Sequence, residues 1–151
     1  MERTLCIVKP DGVRRRLVGE VLKRIERAGF KIEGLRMLRL KRQEAEILYD
    51  VHQGKPFFED LVEFMTQGPI VAILLEKENG ISDLRSLVGM TDPSLAERGT
   101  IRGDLGGTKG ENLVHASDSP LRAKKEIAIF FPGCSGEDDE CEPQISLTGA
   151  P

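Results

Sequence analysis

The tightest constraint on this chain is the run from Pro69 to Leu75, which is apolar at every position and bounded by Gly68 and Glu76. It is far too short for the roughly 20 apolar residues that a membrane-crossing helix needs. A continuous apolar run of this length between turn residues reads as a buried central strand. Three further strands are expected around it. Thr4 to Val8 ends at the turn Lys9-Pro10-Asp11-Gly12, Ile32 to Leu40 forms a second strand, and Asn112 to His115 a short last one.

Helical spacing fills the gaps. Val18, Val21, Leu22 and Ile25 recur on one face before Gly29, which suits a C-terminal cap. Gln43 to Val51 and Phe58 to Thr66 form two more helices, and Ile81, Leu84, Leu87 and Val88 mark another closed by Gly89. Ser119-Pro120 places a capping hydroxyl and a first-turn proline before a last helix that runs to Phe130. The skeleton is therefore βαββαβ, an α+β ferredoxin-like arrangement, expected as an antiparallel sheet covered by helices on one face.

Residues 1–132 read as one catalytic-sized domain, and 133–151 as an acidic tail containing Gly and Pro. Cys134 and Cys141 lie in that tail, where a disulfide between them is possible, though an intracellular compartment disfavours it. The start of the chain lacks a signal-peptide pattern and no segment is long enough to span a bilayer, so a cytoplasmic location and no membrane partner are expected. The net charge of −3 does not suggest a nucleic-acid surface, and Arg14-Arg15-Arg16 offers only a salt-sensitive attraction.

Met90 to Glu111 shows no sustained period and is rich in Gly, Thr, Asp and Arg. A loop that long within a compact domain is usually functional. It has no Walker spacing, because Gly106-Gly107-Thr108-Lys109-Gly110 does not fit that pattern. A phosphate site here must rely on side-chain cations, and Arg85, Thr91 and Arg102 flank or lie within the loop. His115 follows directly, and a neutral imidazole can attack phosphorus and hold the phosphoryl group. Glu126, on the next helix, is placed to orient it. Read locally, a strand-end histidine bonded to Ser117 or Asp118 is the commoner outcome, and Lys9 and the arginines fit ordinary solvated charges. Of the pair Phe57-Phe58, Phe58 fits the core and Phe57 could stack on a base.

Together these segments resemble the nucleoside diphosphate kinase family. The resemblance is carried by Ile7 to Gly12, Lys55-Pro56-Phe57-Phe58, Ser86 to Pro93, Gly99 to Asp104, and Asn112-Leu-Val-His115-Ala-Ser-Asp-Ser119, which matches N-x-x-H-[GA]-S-D. It runs from about Arg3 to Phe131. It implies a phosphotransferase that moves the γ-phosphoryl group of a nucleoside triphosphate to a nucleoside diphosphate. The cycle is ping-pong through phosphohistidine at His115, with low base selectivity. It also implies that Lys9 and Asn112 bond the sugar, with Lys9 near the transferred phosphate. Phe57 would stack on the base, and Arg85, Thr91 and Arg102 would hold phosphates. Tyr49 would position the site around Lys9, with Ser117 and Glu126 supporting His115. Magnesium would arrive on the nucleotide, with no protein-built metal site, and the protein would be a homo-oligomer. Two positions depart from the family: Glu111 where a basic residue is common, and Arg98 where proline is common. His52 lies outside the signature and reads as structural or surface.

Overall fold

A computed structural model of the chain describes residues 1–134. The elements follow in the order β1 (Glu2–Val8), α1 (Pro10–Arg14), α2 (Val18–Arg27), β2 (Lys31–Leu38), α3 (Arg42–Leu48), α4 (Phe58–Thr66), β3 (Ile70–Lys77), α5 (Gly80–Val88), α6 (Ile101–Leu105), β4 (Val114–Ala116) and α7 (Pro120–Phe130). Short 3-10 turns occupy Asp50–His52 and Pro93–Leu95. The sheet order is β2-β3-β1-β4 and each pairing is antiparallel. That is the expected ferredoxin-like arrangement, with β3 and β1 at its centre.

The helices do not keep to one face. Leu5 and Ile7 of β1 and Ile70, Ala72 and Leu74 of β3 pack with α3, α4 and α7 through Leu48, Met65, Ile127 and Phe130. The alternate residues Cys6, Val8, Val71, Ile73 and Leu75 pack with α2 and α5 through Val21, Ile25, Leu84 and Val88. Side chains alternate across a strand, so a strand buried at every position needs cover on both sides. The expectation of one covered face is therefore corrected. Each fully buried aliphatic side chain in these layers contributes about 1.5–3 kcal/mol.

Local chemistry explains most element ends. Gly29 takes a φ of +92° just past α2, and Phe30 N–H donates to Ile25 O at 3.3 Å. Ser119 caps α7, its hydroxyl accepting from Arg122 N–H at 3.1 Å. Two stretches expected to be irregular are partly helical. Lys9 to Gly12 leads into α1, because Pro10 opens it and its fixed φ suits a first helical position. The long loop contains α6, capped by Thr100 Oγ1, which accepts from Gly103 N–H at 3.0 Å. The last strand starts at Val114 rather than Asn112, because Leu113 has a φ of +74° and cannot continue a strand. The tail expected from residue 133 is described only to Cys134, which is buried in the core layer of α7. Cys134 is held in a disulfide, a point the sequence left open.

Candidate active site

His115 lies on the edge strand β4, paired in register with Ile7. Its Nε2 is 2.7 Å from Oε1 of Glu126 on α7, and Ser117 Oγ donates to the same oxygen at 2.8 Å. Glu126 is 2% exposed. Burial pushes its carboxyl pKa up, but hydrogen bonds from His115 and Ser117 and the Arg122 charge outweigh that and hold it below the usual range. The group is therefore an ionised carboxylate, which can only accept. Nε2 then carries the proton and Nδ1 keeps its lone pair. Among the described residues Nδ1 has no hydrogen-bond partner, and the side chain keeps 17% exposure. A ring held at one nitrogen and open at the other is the form an imidazole nucleophile needs.

Tyr49, immediately after α3, meets that ring edge-on at 5.7 Å between centroids. Its hydroxyl is buried without a partner among the described residues, and burial first, then the Glu126 charge, push its pKa up. It stays a donor.

The backbone between β4 and α6 gathers the polar side chains. Leu113 N–H donates to Asp11 Oδ2 at 3.0 Å, and Lys9 N–H donates to Leu113 O at 2.8 Å. These bonds hold a left-handed leucine that costs about 1–3 kcal/mol on its own. Gly12 is required beneath it, since a Cβ there would lie 2.7 Å from a Val8 methyl and 3.1 Å from Leu113 O. The turn points Asn112 at Lys9, whose Nζ donates to Asn112 Oδ1 at 2.8 Å. Asn112 Nδ2 in turn donates to Thr91 O at 2.9 Å. Lys9 is nearly buried. Burial, then the Arg102 charge, lower its pKa to about 8, with Asp11 opposing.

Arg102 is tied to the backbone at three points. Nε, Nη1 and Nη2 donate to the carbonyls of Asn112, Gly89 and Val114 at 3.2, 3.0 and 2.6 Å. Three of the five N–H groups of a guanidinium are then spent on backbone, and two remain for a ligand. Burial lowers its pKa to about 10, with Cys6 opposing and the Arg85 charge adding to the fall. Arg85 is exposed on α5, with no hydrogen bond or ion pair among the described residues. Thr91 is exposed and contributes only its carbonyl.

The two phenylalanines separate as expected: Phe58 is buried and Phe57 is 47% exposed. Phe57 lies 5.2 Å from His52, which stacks 6.4 Å from Tyr49, so four rings run from His115 outward. His52, read from the sequence as structural or surface, lies in this chain of rings between Tyr49 and Phe57. Two other residues were missed, Asp11 and Arg122. Arg122 had a legible signal, since it stands four residues before Glu126 on the same helix face.

Residues 2–135 match the family profile described as nucleoside diphosphate kinase. The chain is 55% identical over 139 residues to the nucleoside diphosphate kinase of Staphylothermus marinus, covering 92% of this chain and 95% of that one. It is 54% identical over 131 residues to that of Salinibacter ruber, covering 87% and 92%. The solved Aquifex aeolicus nucleoside diphosphate kinase superposes with a TM-score of 0.85 at 44% identity, covering 87% of this chain and 96% of that one. A halophilic nucleoside diphosphate kinase from Halobacterium salinarum, solved in complex with CDP, gives a TM-score of 0.85 at 40% identity over 97% and 94%.

Proposed function

The chain belongs to the nucleoside diphosphate kinase family, and from that premise we propose that its phosphoryl transfer between nucleotides runs through Nδ1 of His115. The single observation that supports this most is the Glu126–Nε2 hydrogen bond of 2.7 Å, which leaves Nδ1 as the free lone pair.

In the first half-reaction Nδ1 attacks the γ-phosphorus of a nucleoside triphosphate. The bond from that phosphorus to the β–γ bridging oxygen breaks, and the diphosphate leaves with the bond's electrons. The imidazole becomes cationic, and the Glu126 carboxylate stabilises it through the proton on Nε2. In the second half-reaction a terminal oxygen of another diphosphate attacks the phosphohistidine, and Nδ1 departs with its electron pair. Donor and acceptor use one site, so the cycle is ping-pong.

Within this reading Lys9 and Asn112 bind the sugar hydroxyls, with Lys9 also near the transferred group. Arg85, Thr91 and Arg102 hold the phosphates, Phe57 stacks on the base without reading its edge, and Tyr49 with Ser117 fixes the catalytic ring. Stacking on an exposed ring accepts any base. Among the described residues no group of three or more His, Cys, Asp or Glu side chains could hold a metal. The cations and amides of the cleft suit the phosphates of a magnesium–nucleotide complex. When bound, magnesium would neutralise phosphate charge. A coupled assay with one triphosphate and a different diphosphate tests the whole reading. Absence of transfer would leave only a nucleotide-binding module.

Lys9 supplies a pH test. Its pKa of about 8 means its charge is present below that pH and lost above it. Diphosphate KM is therefore expected to rise several-fold, on the order of 3–10-fold, between pH 7 and pH 9. Lys9→Met should flatten that rise, and a wild-type KM that stays level would remove Lys9 from the phosphate site.

A homo-oligomer belongs to the same reading. β2 is an open sheet edge, and Leu35 and Met37 stand exposed on its α2 side at 44% and 61%. An uncovered edge with apolar side chains favours a second chain. Met37→Asp is expected to weaken self-association about tenfold or more by sedimentation; an unchanged profile would place the contact elsewhere. No helix among the described residues is long and apolar enough to cross a membrane. A cytoplasmic location belongs to the same reading.

A further inference from the structure

Arg122 has no role in the reaction so far, yet its guanidinium meets three separate groups. Nη1 donates to Asp50 Oδ1 at 2.8 Å, Nη2 donates to Leu48 O at 2.8 Å, and Nε lies 3.4 Å from Glu126 Oε2. Leu48 ends α3 and Asp50 opens the next 3-10 turn, so the residue between these two anchors is Tyr49.

We propose that Arg122 is a positioning residue for the phosphoryl-accepting imidazole. It pins Glu126 by the oxygen that His115 does not use. With the same fork it fixes the segment that carries Tyr49. The inference rests on the reading of His115 as the nucleophile.

The terminal torsion of a glutamate is soft and broad. Oε1 alone takes the contacts of His115 and Ser117, and two bonds to one atom leave the carboxylate free to pivot about it. A contact on Oε2 removes that freedom. Water does not replace it, because Glu126 is 2% exposed. The planar fork of arginine reaches a carboxylate and a carbonyl in fixed directions, which a lysine cannot reproduce. Leu48 O is also one of the carbonyls that a helix end leaves without an internal partner. Arg122 therefore caps α3 and sets how close Tyr49 stands to His115, at 5.7 Å between centroids. Asp50 is held from its other side by Lys125, which keeps the anchor in place.

The charged and titratable groups around Glu126 come from three elements. They are His115 on β4, with Ser117 just beyond it, Arg122 on its own helix, and Tyr49 after α3. Burial pushes the Glu126 carboxyl up, and the Arg122 charge joins the His115 and Ser117 hydrogen bonds in holding it below its usual range. Removing that charge raises the pH at which Glu126 takes up a proton.

The test is single-turnover phosphorylation of the full chain by γ-labelled nucleoside triphosphate, from neutral into acid pH. Arg122→Gln is expected to lower the rate constant about tenfold, with the half-saturating nucleotide concentration unchanged. Its acid limb should move to higher pH. Arg122→Lys should bring the acid limb back toward that of the wild type while the rate stays below it. If the glutamine variant does not fold, the lysine variant carries the test on the same two readouts. A wild-type rate and acid limb in Arg122→Gln would overturn the proposal. So would a lysine variant whose acid limb stays displaced, or a loss that appears only in nucleotide half-saturation. Labelling that survives His115→Ala would instead overturn the underlying reading, so the two failures are distinguishable.

Discussion

Replacing His115 by alanine is expected to abolish both half-reactions, by about 10⁴-fold or more, because the group that holds the phosphoryl between them is gone. Acid-labile label from a γ-labelled triphosphate should vanish with it. The fold should survive. The ring is partly exposed, and Glu126 keeps Ser117 and Arg122 as partners once the imidazole is removed. Losing one hydrogen bond to a buried carboxylate costs about 1.5–3 kcal/mol. The variant should still bind nucleotide, since Lys9, Asn112 and Arg102 remain. Label that persisted on a folded variant would move the nucleophile elsewhere and end this account of the cleft. If wild type and variant both bound nucleotide and neither transferred, the domain would be a binding module with an idle histidine.

Much of this arrangement can be read from the chain, and the unread parts have physical causes. Leu5 to Val8 and Ile70 to Leu75 were plain as strands because they are apolar without interruption. The same fact implies cover on both sheet faces, since neighbouring side chains point opposite ways. His115 and Lys9 could be named because motifs carry them, and Glu126 because it lies on the helix that follows His115. Their geometry could not. The left-handed Leu113 that turns Asn112 toward Lys9 has no sequence mark of its own, leucine being a poor residue for that conformation. Asp11 supports it from 102 positions away in the chain. His52 lies outside the signature, and only the folded chain brings its ring against Tyr49 and Phe57. Arg85 and Arg102 look alike in the sequence, but Arg102 is a buried bolt while Arg85 is exposed and has no ion pair among the described residues.

That inequality sets the second large effect. Arg102→Ala is expected to weaken both half-reactions, because one phosphate pocket serves both, and to destabilise the fold as well. The carbonyls of Gly89, Asn112 and Val114 would each lose a charged donor. Leaving buried carbonyls without their donor costs about 1–3 kcal/mol each, and together a fall in Tm on the order of 10 °C for a domain of this size. Loss of phosphate stabilisation adds a decrease of about 10²–10³ in kcat/KM for each half-reaction. Arg85→Ala separates the two contributions. Its exposed side chain has no hydrogen bond or ion pair among the described residues, so its removal should lower kcat/KM with Tm nearly unchanged. Arg102→Lys keeps a charge but cannot span three carbonyls, so it should recover part of the activity and little of the stability. If Arg102→Ala loses stability while a half-reaction keeps its wild-type rate, the guanidinium is a structural bolt only. The transferred phosphoryl group then depends on Arg85 and Lys9 for its countercharge.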